Sequence, residues 1–293
     1  MHIDMRIRIF SNYTTTEILH KLFQECFDIP SHIQFTSGED YTHAIIINGA
    51  MPVLPVDVPP THVVGLAYEP WGLLKFNENN KEYIRQKIGK YLCGESYREN
   101  PFVGYYPYMP IHSKIECMSE KRHPMSIVFS QKQSLTGHKY RHQLVDEILK
   151  RNWPIDIYGK GCNILHKRQF ETMNRIYHRH HSMDSRIKDS FKDYEPYAEY
   201  LFTIVIENTQ SEHYISEKVL IPLLMNTTPL YWGATEIETY FPNMTIPLTG
   251  TTPNDLKIIA NVLENPLEYK KEIDRMKLRN TINPFEHLSL LFS

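Results

Sequence analysis

The sequence predicts an α/β protein of two parallel-sheet domains, and three observations carry that prediction. Strand-like and helix-like segments alternate from end to end. An irregular stretch from Tyr105 to His123, bracketed by Pro107, Pro110 and Pro124, interrupts the alternation, which then begins again. The 293 residues, 41% hydrophobic and 12% aromatic, supply two cores of ordinary size at roughly 150 residues per domain. Two such halves joined by one linker imply a cleft between them, where a ligand is expected.

In the first half, Arg6–Phe10 alternates as a half-buried strand. Thr15–Phe27 follows as a helix, with Ile18, Leu19, Leu22, Phe23 and Cys26 on one face. Ala44–Ile47 and His62–Tyr68 are short, nearly continuous apolar runs, the pattern of strands buried on both faces. Tyr83, Ile84, Lys87, Ile88 and Tyr91 recur at three and four, which predicts a helix over Lys81–Leu92. In the second half the expected strands are Ser126–Phe129, Pro154–Gly159, Tyr200–Ile206 and Pro229–Gly233. The expected helices are Tyr140–Arg151, Ser216–Met225, Asp255–Leu263 and Pro266–Arg279. Arg168–Lys192 is rich in His, Arg and Lys with little period, and reads as a long loop or a partly helical insert.

Lys+Arg 32 against Asp+Glu 34 leaves a net charge of -2, without the basic excess that phosphate-driven nucleic-acid binding requires. Cys26, Cys93, Cys117 and Cys162 are scattered and form no C-x-x-C pair, which argues for reduced thiols rather than a disulfide framework or a zinc site. No apolar run approaches the roughly 18 residues of a membrane span, and the first residues alternate rather than forming a signal peptide. The expected location is cytoplasmic. On that reading the Asn-x-Ser/Thr triplets at Asn12, Asn226 and Asn243 are chance.

The chemistry concentrates between Tyr200 and Lys218. A strand delivers Glu207 and Asn208 at its carboxyl end, a short polar loop follows, and a helix opens with Glu217 and Lys218 in its first turn. In a parallel sheet that end faces the ligand crevice. Unpaired N–H groups and the helix dipole favour an anion there, and Lys218 adds a full charge. Ser216 suits the N-cap and Tyr214 offers a ring or hydroxyl. The combination describes a diphosphate site beside hydroxyl-binding carboxylates, as a sugar nucleotide requires. No G-x-x-x-x-G-K-[ST] loop occurs, Gly159 and Gly161 lack a third glycine at Ile164, and no D-x-D pair is present to hold a metal. Side chains and helix dipole are then left to neutralise the phosphates.

These residues resemble the alpha-1,3/1,4-fucosyltransferase family, in which a strand ending Glu-Asn is followed by Tyr-x-Thr-Glu-Lys opening a helix and a Pro-led strand ending in Gly. Here the pieces stand as Glu207-Asn208, Tyr214-Ile215-Ser216-Glu217-Lys218 and Pro229-Leu230-Tyr231-Trp232-Gly233, with Ser for Thr at the cap. The resemblance is specific over Tyr200–Gly233 and traceable from Ser126 to about Pro247. It implies a GT-B fold of two Rossmann-like domains facing a cleft, 1–120 on the acceptor side and 121–293 binding the nucleotide sugar and carrying C-terminal helices. It implies inverting transfer of L-fucose from GDP-fucose to a glycan hydroxyl, in an α-1,3-type linkage, without a metal or other cofactor. It also implies that Arg141, at the opening of its helix, meets the phosphates, and that Asn208, Tyr214, Glu217 and Lys218 line the donor site. Pro222, about two turns into the same helix, predicts a kink or an early end.

Inversion needs a base on the face opposite the leaving diphosphate, hence on the other domain. By position the candidate is Glu69, which ends the run Val63–Tyr68 and precedes Pro70. Tyr105, Tyr106 and Tyr108 fit either stacking on an acceptor sugar or packing of the linker. The run His178-Arg179-His180-His181 lacks ligand spacing and reads as a solvated or acceptor-facing loop rather than a metal site. Two other functions fit the same residues: a related transferase using another nucleotide sugar, and a catalytically silent sugar-nucleotide or glycan-binding protein.

Overall fold

A computed structural model describes residues 5–96, 99–112, 120–165, 184–192 and 194–292. Two wholly parallel sheets organise them. The first comprises β1 (Met5–Ser11), β2 (Ile33–Phe35), β3 (His43–Ile47), β4 (Val63–Leu66), β5 (Lys90–Cys93) and β6 (Phe102–Gly104), in the order β2-β1-β3-β4-β5-β6. The second comprises β7 (His123–Val128), β8 (Ile155–Tyr158), β9 (Tyr200–Ile206), β10 (Thr228–Trp232) and β11 (Ile246–Pro247), in the order β11-β10-β9-β7-β8. Counted within each sheet, the second runs 2-1-3-4-5 and the first runs the same way with a sixth strand added at its end, the doubly wound order whose switch point lies between strands one and three. The sequence shows no internal repeat, yet the topology repeats.

Three apolar clusters hold these layers. One fills the outer face of the first sheet with Ile46, Val63, Tyr91 and Phe102, and a second lies under the Thr136–Lys150 and Thr252–Glu264 helices with Ile127, Ile157, Leu230 and Ile259. The third runs from Ile9, Phe23 and Val64 of the first domain to Val205, Val219 and Tyr231 of the second, so the domains share a core. Tyr106 and Tyr108 are fully buried there beside Tyr240 and Phe241, which settles linker packing as their role.

The chain departs from the sequence reading where a local signal was hidden. The helix expected over Lys81–Leu92 instead spans Glu78–Lys87, capped by Asn77, after which Gly89 turns the chain into β5. A Cβ at Gly89 would strike the Pro60 carbonyl, so only glycine permits that turn. Pro266–Arg279 divides into Pro266–Tyr269 and Arg275–Ile282 because Asp274 caps a new helix, its carboxylate accepting from the Lys277 N–H at 2.9 Å. Strands β2 and β6, three residues each, are too short to show a period. Cys26, Cys93 and Cys162 are buried thiols. Cys117, His178–His181 and most of the expected insert lie outside the described residues, while Ile187 bridges Ile157 beside β8.

The last segment returns to the first sheet. Phe285 meets Phe23, Phe27 and Phe35 edge-on at 5.9–6.4 Å, and Lys90 donates to the Leu290 carbonyl at 2.9 Å. Phe292 packs against His43, which also stacks on His62 at 4.2 Å. Burial, reinforced by His62, pushes the His43 pKa down to about 4. The unfolded chain therefore takes up a proton at pH values where the folded chain resists it. This part of the stability is complete above about pH 6.5 and is lost as pH falls towards about 4. Urea titrations at pH 7 and pH 4.5 should show a smaller acid loss in His43→Phe than in the wild type; equal losses would remove His43 as the cause.

Candidate active site

Both sheets aim the carboxyl ends of their strands at one cleft of about 870 Å³, a volume suited to a substrate-sized molecule. Asn12 and Tyr13 follow β1, Asn48 and Gly49 follow β3, and Glu69 follows β4; from the other side come Ser130 after β7 and Asn208 after β9. The two switch points thus face each other. His138, Arg141, Tyr214, Glu217 and Lys218 complete the second domain's wall. All six residues singled out by sequence, Glu69, Arg141, Asn208, Tyr214, Glu217 and Lys218, line this single cavity.

The second wall is built on Glu207, which is wholly buried at the end of β9. Its carboxylate accepts from the Ser216 N–H at 3.1 Å and from the Ser216 hydroxyl at 2.7 and 2.8 Å. Ser216 in turn caps the Glu217–Leu224 helix, its hydroxyl accepting from the Lys218 N–H. The Lys218 ammonium lies 3.5 Å from Glu207 and 3.1 Å from Glu217. Burial works against the charge on Lys218, but the two carboxylates outweigh it and raise its pKa. Burial raises the pKa of Glu207, an effect that Lys218 and Ser216 oppose. Pro222 sits inside this helix, which ends at Leu224 after eight residues. The proline has no N–H for the carbonyl one turn earlier, but the first turn is intact.

Arg141 lies in the second turn of the Thr136–Lys150 helix rather than at its opening, because the helix begins four residues before the expected start. It is buried, and its guanidinium donates to the Ile206 carbonyl beneath the cleft. Burial pulls its pKa below the ordinary arginine value, though the group remains a cation. The first turn holds His138, which the sequence reading passed over. Its Nδ1 accepts from the Leu135 N–H at 3.3 Å, so Nε2 carries the proton and donates to Asn208 Oδ1 at 3.0 Å. Burial, with Arg141 nearby, lowers the His138 pKa, which favours this neutral form. Gly137 lets the helix approach, since a Cβ there would collide with the Glu207 carbonyl, and its own N–H donates to the Asn208 carbonyl at 3.0 Å. Gly233 does the same from β10, where a Cβ would strike the Glu207 side chain.

Tyr214 joins the two walls. Its hydroxyl donates to the carbonyl of Tyr68, the residue before Glu69, at 3.4 Å. Burial raises its pKa, with Glu207, Glu217 and Glu69 all adding to the shift. Glu69 itself is placed by Asn48, whose side-chain oxygen accepts from the Tyr68 N–H at 2.9 Å and whose backbone has a left-handed φ of 52°. The cleft therefore sets a carboxylate on one side against two cations, a second carboxylate and an amide on the other. Among the described residues no group of three or more His, Cys, Asp or Glu could hold a metal ion, and no helix is long and apolar enough to cross a membrane.

Paired doubly wound domains with a polar cleft at their switch points make up the GT-B type of fold. Solved structures of that type match along nearly the whole chain. An alpha1,3-fucosyltransferase with GDP superposes with a TM-score of 0.52 at 14% identity, over 90% of this chain and 79% of that one. Anabaena Alr3699/HepE in complex with UDP and glucose gives 0.50 at 11%, over 99% and 96%. In sequence, residues 118–246 match the profile of glycosyltransferase family 10 (fucosyltransferase) C-term. Over that stretch the chain is similar to family 10. Alpha-(1,3)-fucosyltransferase B of Drosophila melanogaster is 30% identical over 165 residues, 53% of this chain and 31% of that protein. GDP-fucose protein O-fucosyltransferase 3 of Danio rerio is 30% identical over 114 residues, 38% of this chain and 21% of that protein. The chain thus spans well under half the length of these curated relatives.

Glu207→Ala removes every acceptor from the Ser216 hydroxyl and N–H and one of two anions from Lys218. It should cost about 3 kcal/mol in urea denaturation, as loss of a buried charged partner does. A loss below about 1 kcal/mol would show that Ser216 and Lys218 hold their places without it.

Proposed function

We propose that the protein transfers L-fucose from GDP-fucose to a hydroxyl of a glycan acceptor, with inversion and without a metal ion, forming an α-1,3-type linkage. One observation supports this above the others: Glu69 of the first domain shares a single cleft with Arg141, Asn208, Glu217 and Lys218 of the second. In this reaction Glu69 takes the acceptor proton as the hydroxyl oxygen attacks the anomeric carbon. The bond from that carbon to the β-phosphate oxygen breaks, and its electrons leave with GDP. Lys218 and Arg141 offset the charge on the diphosphate, aided by the amino end of the Glu217–Leu224 helix. Glu217, half-exposed beside Lys218, takes hydroxyls of the ribose or the sugar. Tyr214 holds the donor loop against the strand that carries Glu69. The relatives' names, an alpha-(1,3)-fucosyltransferase and a GDP-fucose protein O-fucosyltransferase, support the donor more than the acceptor.

Purified protein should release GDP from GDP-fucose when acceptor is supplied, at the same rate with and without EDTA; strict dependence on a divalent ion would reject the metal-free scheme. Lys218→Ala should weaken GDP binding at least tenfold, and Glu217→Ala should weaken GDP-fucose binding. Glu69→Gln should leave donor affinity within about twofold while turnover falls by 10²-fold or more, the usual size of a lost general base. Calorimetric titration with GDP and a GDP-release assay on the same variants separate these outcomes. Full turnover in Glu69→Gln would exclude it as the base.

A further inference from the structure

The acceptor wall of the cleft is apolar to a degree that a glycan alone does not explain. Tyr13, Leu73, Leu74, Phe76, Met109 and Pro110 line it around Glu69. Tyr13 and Leu73 remain 57% and 40% exposed. Met51 is 49% exposed and meets the side chain of Asn80, which also lines the cleft. Tyr13 follows β1, Met51 follows β3, Leu73, Leu74 and Phe76 follow β4, and Met109 and Pro110 follow β6. The loop after β3 is fastened beside the cleft rather than left loose, since Tyr83 donates to the Pro52 carbonyl at 2.8 Å and Asn80 approaches the Met51 sulfur at 3.4 Å. Leu54 of that loop belongs to the same core cluster as Trp71, Leu74 and Phe76.

The polar groups on this wall are already committed in part. Asn48 gives its oxygen to the Tyr68 N–H, and Asn80 exchanges hydrogen bonds with Asn77 in a capping box. The Tyr13 hydroxyl is engaged by the Ser11 side chain, which leaves the Asn48 amide N–H groups, Asn12 and Glu69 to meet an acceptor. That suffices to grip one hydroxyl and a neighbour, not a long polyhydroxyl chain. Apolar side chains left exposed along the wall of a cleft mark a ligand contact.

We propose that this wall is a subsite for an apolar aglycone: the preferred acceptor is a glycoside whose hydroxyl-bearing sugar lies at Glu69 while an aryl or alkyl substituent rests on Tyr13, Leu73 and Phe76. The proposal rests on the reading of the cleft as the transfer site. Its test uses binding, so that it stands apart from turnover. Methyl and phenyl β-galactosides, and the same pair of β-N-acetylglucosaminides, are titrated calorimetrically into the protein with and without GDP. The phenyl member of at least one pair should bind about tenfold more tightly than its methyl partner, which corresponds to about 1.4 kcal/mol. Leu73→Asp should erase the difference while leaving GDP affinity unchanged, and Leu73→Met should retain it. Equal affinity of both members in both pairs, including failure of all four to bind, overturns the subsite. So does an advantage that survives Leu73→Asp. Failure of GDP to bind while phenyl selectivity persists would count against the donor reading and not against this one.

Discussion

The buried carboxylate of Glu207 is the constraint from which the second domain's wall of the cleft follows. A charge wholly removed from water must be met by donors in good geometry, and here the Ser216 hydroxyl, the Ser216 N–H and the Lys218 ammonium meet it. Meeting it fixes where the Glu217–Leu224 helix begins, because Ser216 is the cap of that helix. It also fixes how closely two neighbours pack, since Gly137 and Gly233 press on the same residue and neither can carry a side chain. Strand end, helix start and two glycines are thus one unit. Its product is a lysine held charged at the floor of a cleft.

The loop that leads into the Glu217–Leu224 helix also ties the domains together. His213 donates its N–H to the Gly94 carbonyl at 2.7 Å, Glu212 accepts from the Ser96 N–H at 3.0 Å, and Tyr214 reaches the Tyr68 carbonyl. Gly94 permits this approach, as a Cβ there would strike Tyr214. Beneath these contacts runs the shared apolar cluster. The separation between Glu69 and the second domain's groups is therefore set by packing and hydrogen bonds, not by a linker. Catalytic geometry across two domains needs such support, because small misplacements of reacting groups are expensive.

Much of this was legible in the sequence, for reasons that differ from residue to residue. Strand β9 was readable to the residue because Tyr200–Ile206 is an unbroken apolar run followed by charge, and Ser216 because a hydroxyl before Glu-Lys is a helix cap. The cleft followed from alternation and the switch-point rule. Glu69 could be placed only by its position at a strand end. His138 stayed hidden because its role depends on Asn208, seventy residues away, and on a backbone N–H at Leu135. Gly137 stayed hidden too, since a helical glycine declares itself only when its neighbour is known. Strand β5 was masked by Ile88 and Tyr91, which continue the helical spacing of Tyr83, Ile84 and Lys87 after the helix has ended.

The arrangement around Lys218 also orders how a diphosphate could enter. Two carboxylates hold the ammonium, but they are not equivalent. Glu207 is wholly buried and bound three times by Ser216, whereas Glu217 keeps 46% of its side chain exposed and holds Lys218 from the solvent side. Displacing Glu207 would strand a charge in the core, at a cost of several kcal/mol. Displacing Glu217 strands nothing, since its carboxylate can turn to water or to a hydroxyl. On the reading proposed above, the incoming phosphate therefore takes the place of Glu217 on Lys218 and frees that carboxylate for the sugar or ribose hydroxyls arriving with it. Donor binding then exchanges one ion pair for another instead of creating a new buried charge. The neighbouring glutamate and lysine in the first turn serve that exchange because only one of their two mutual partners is free to move.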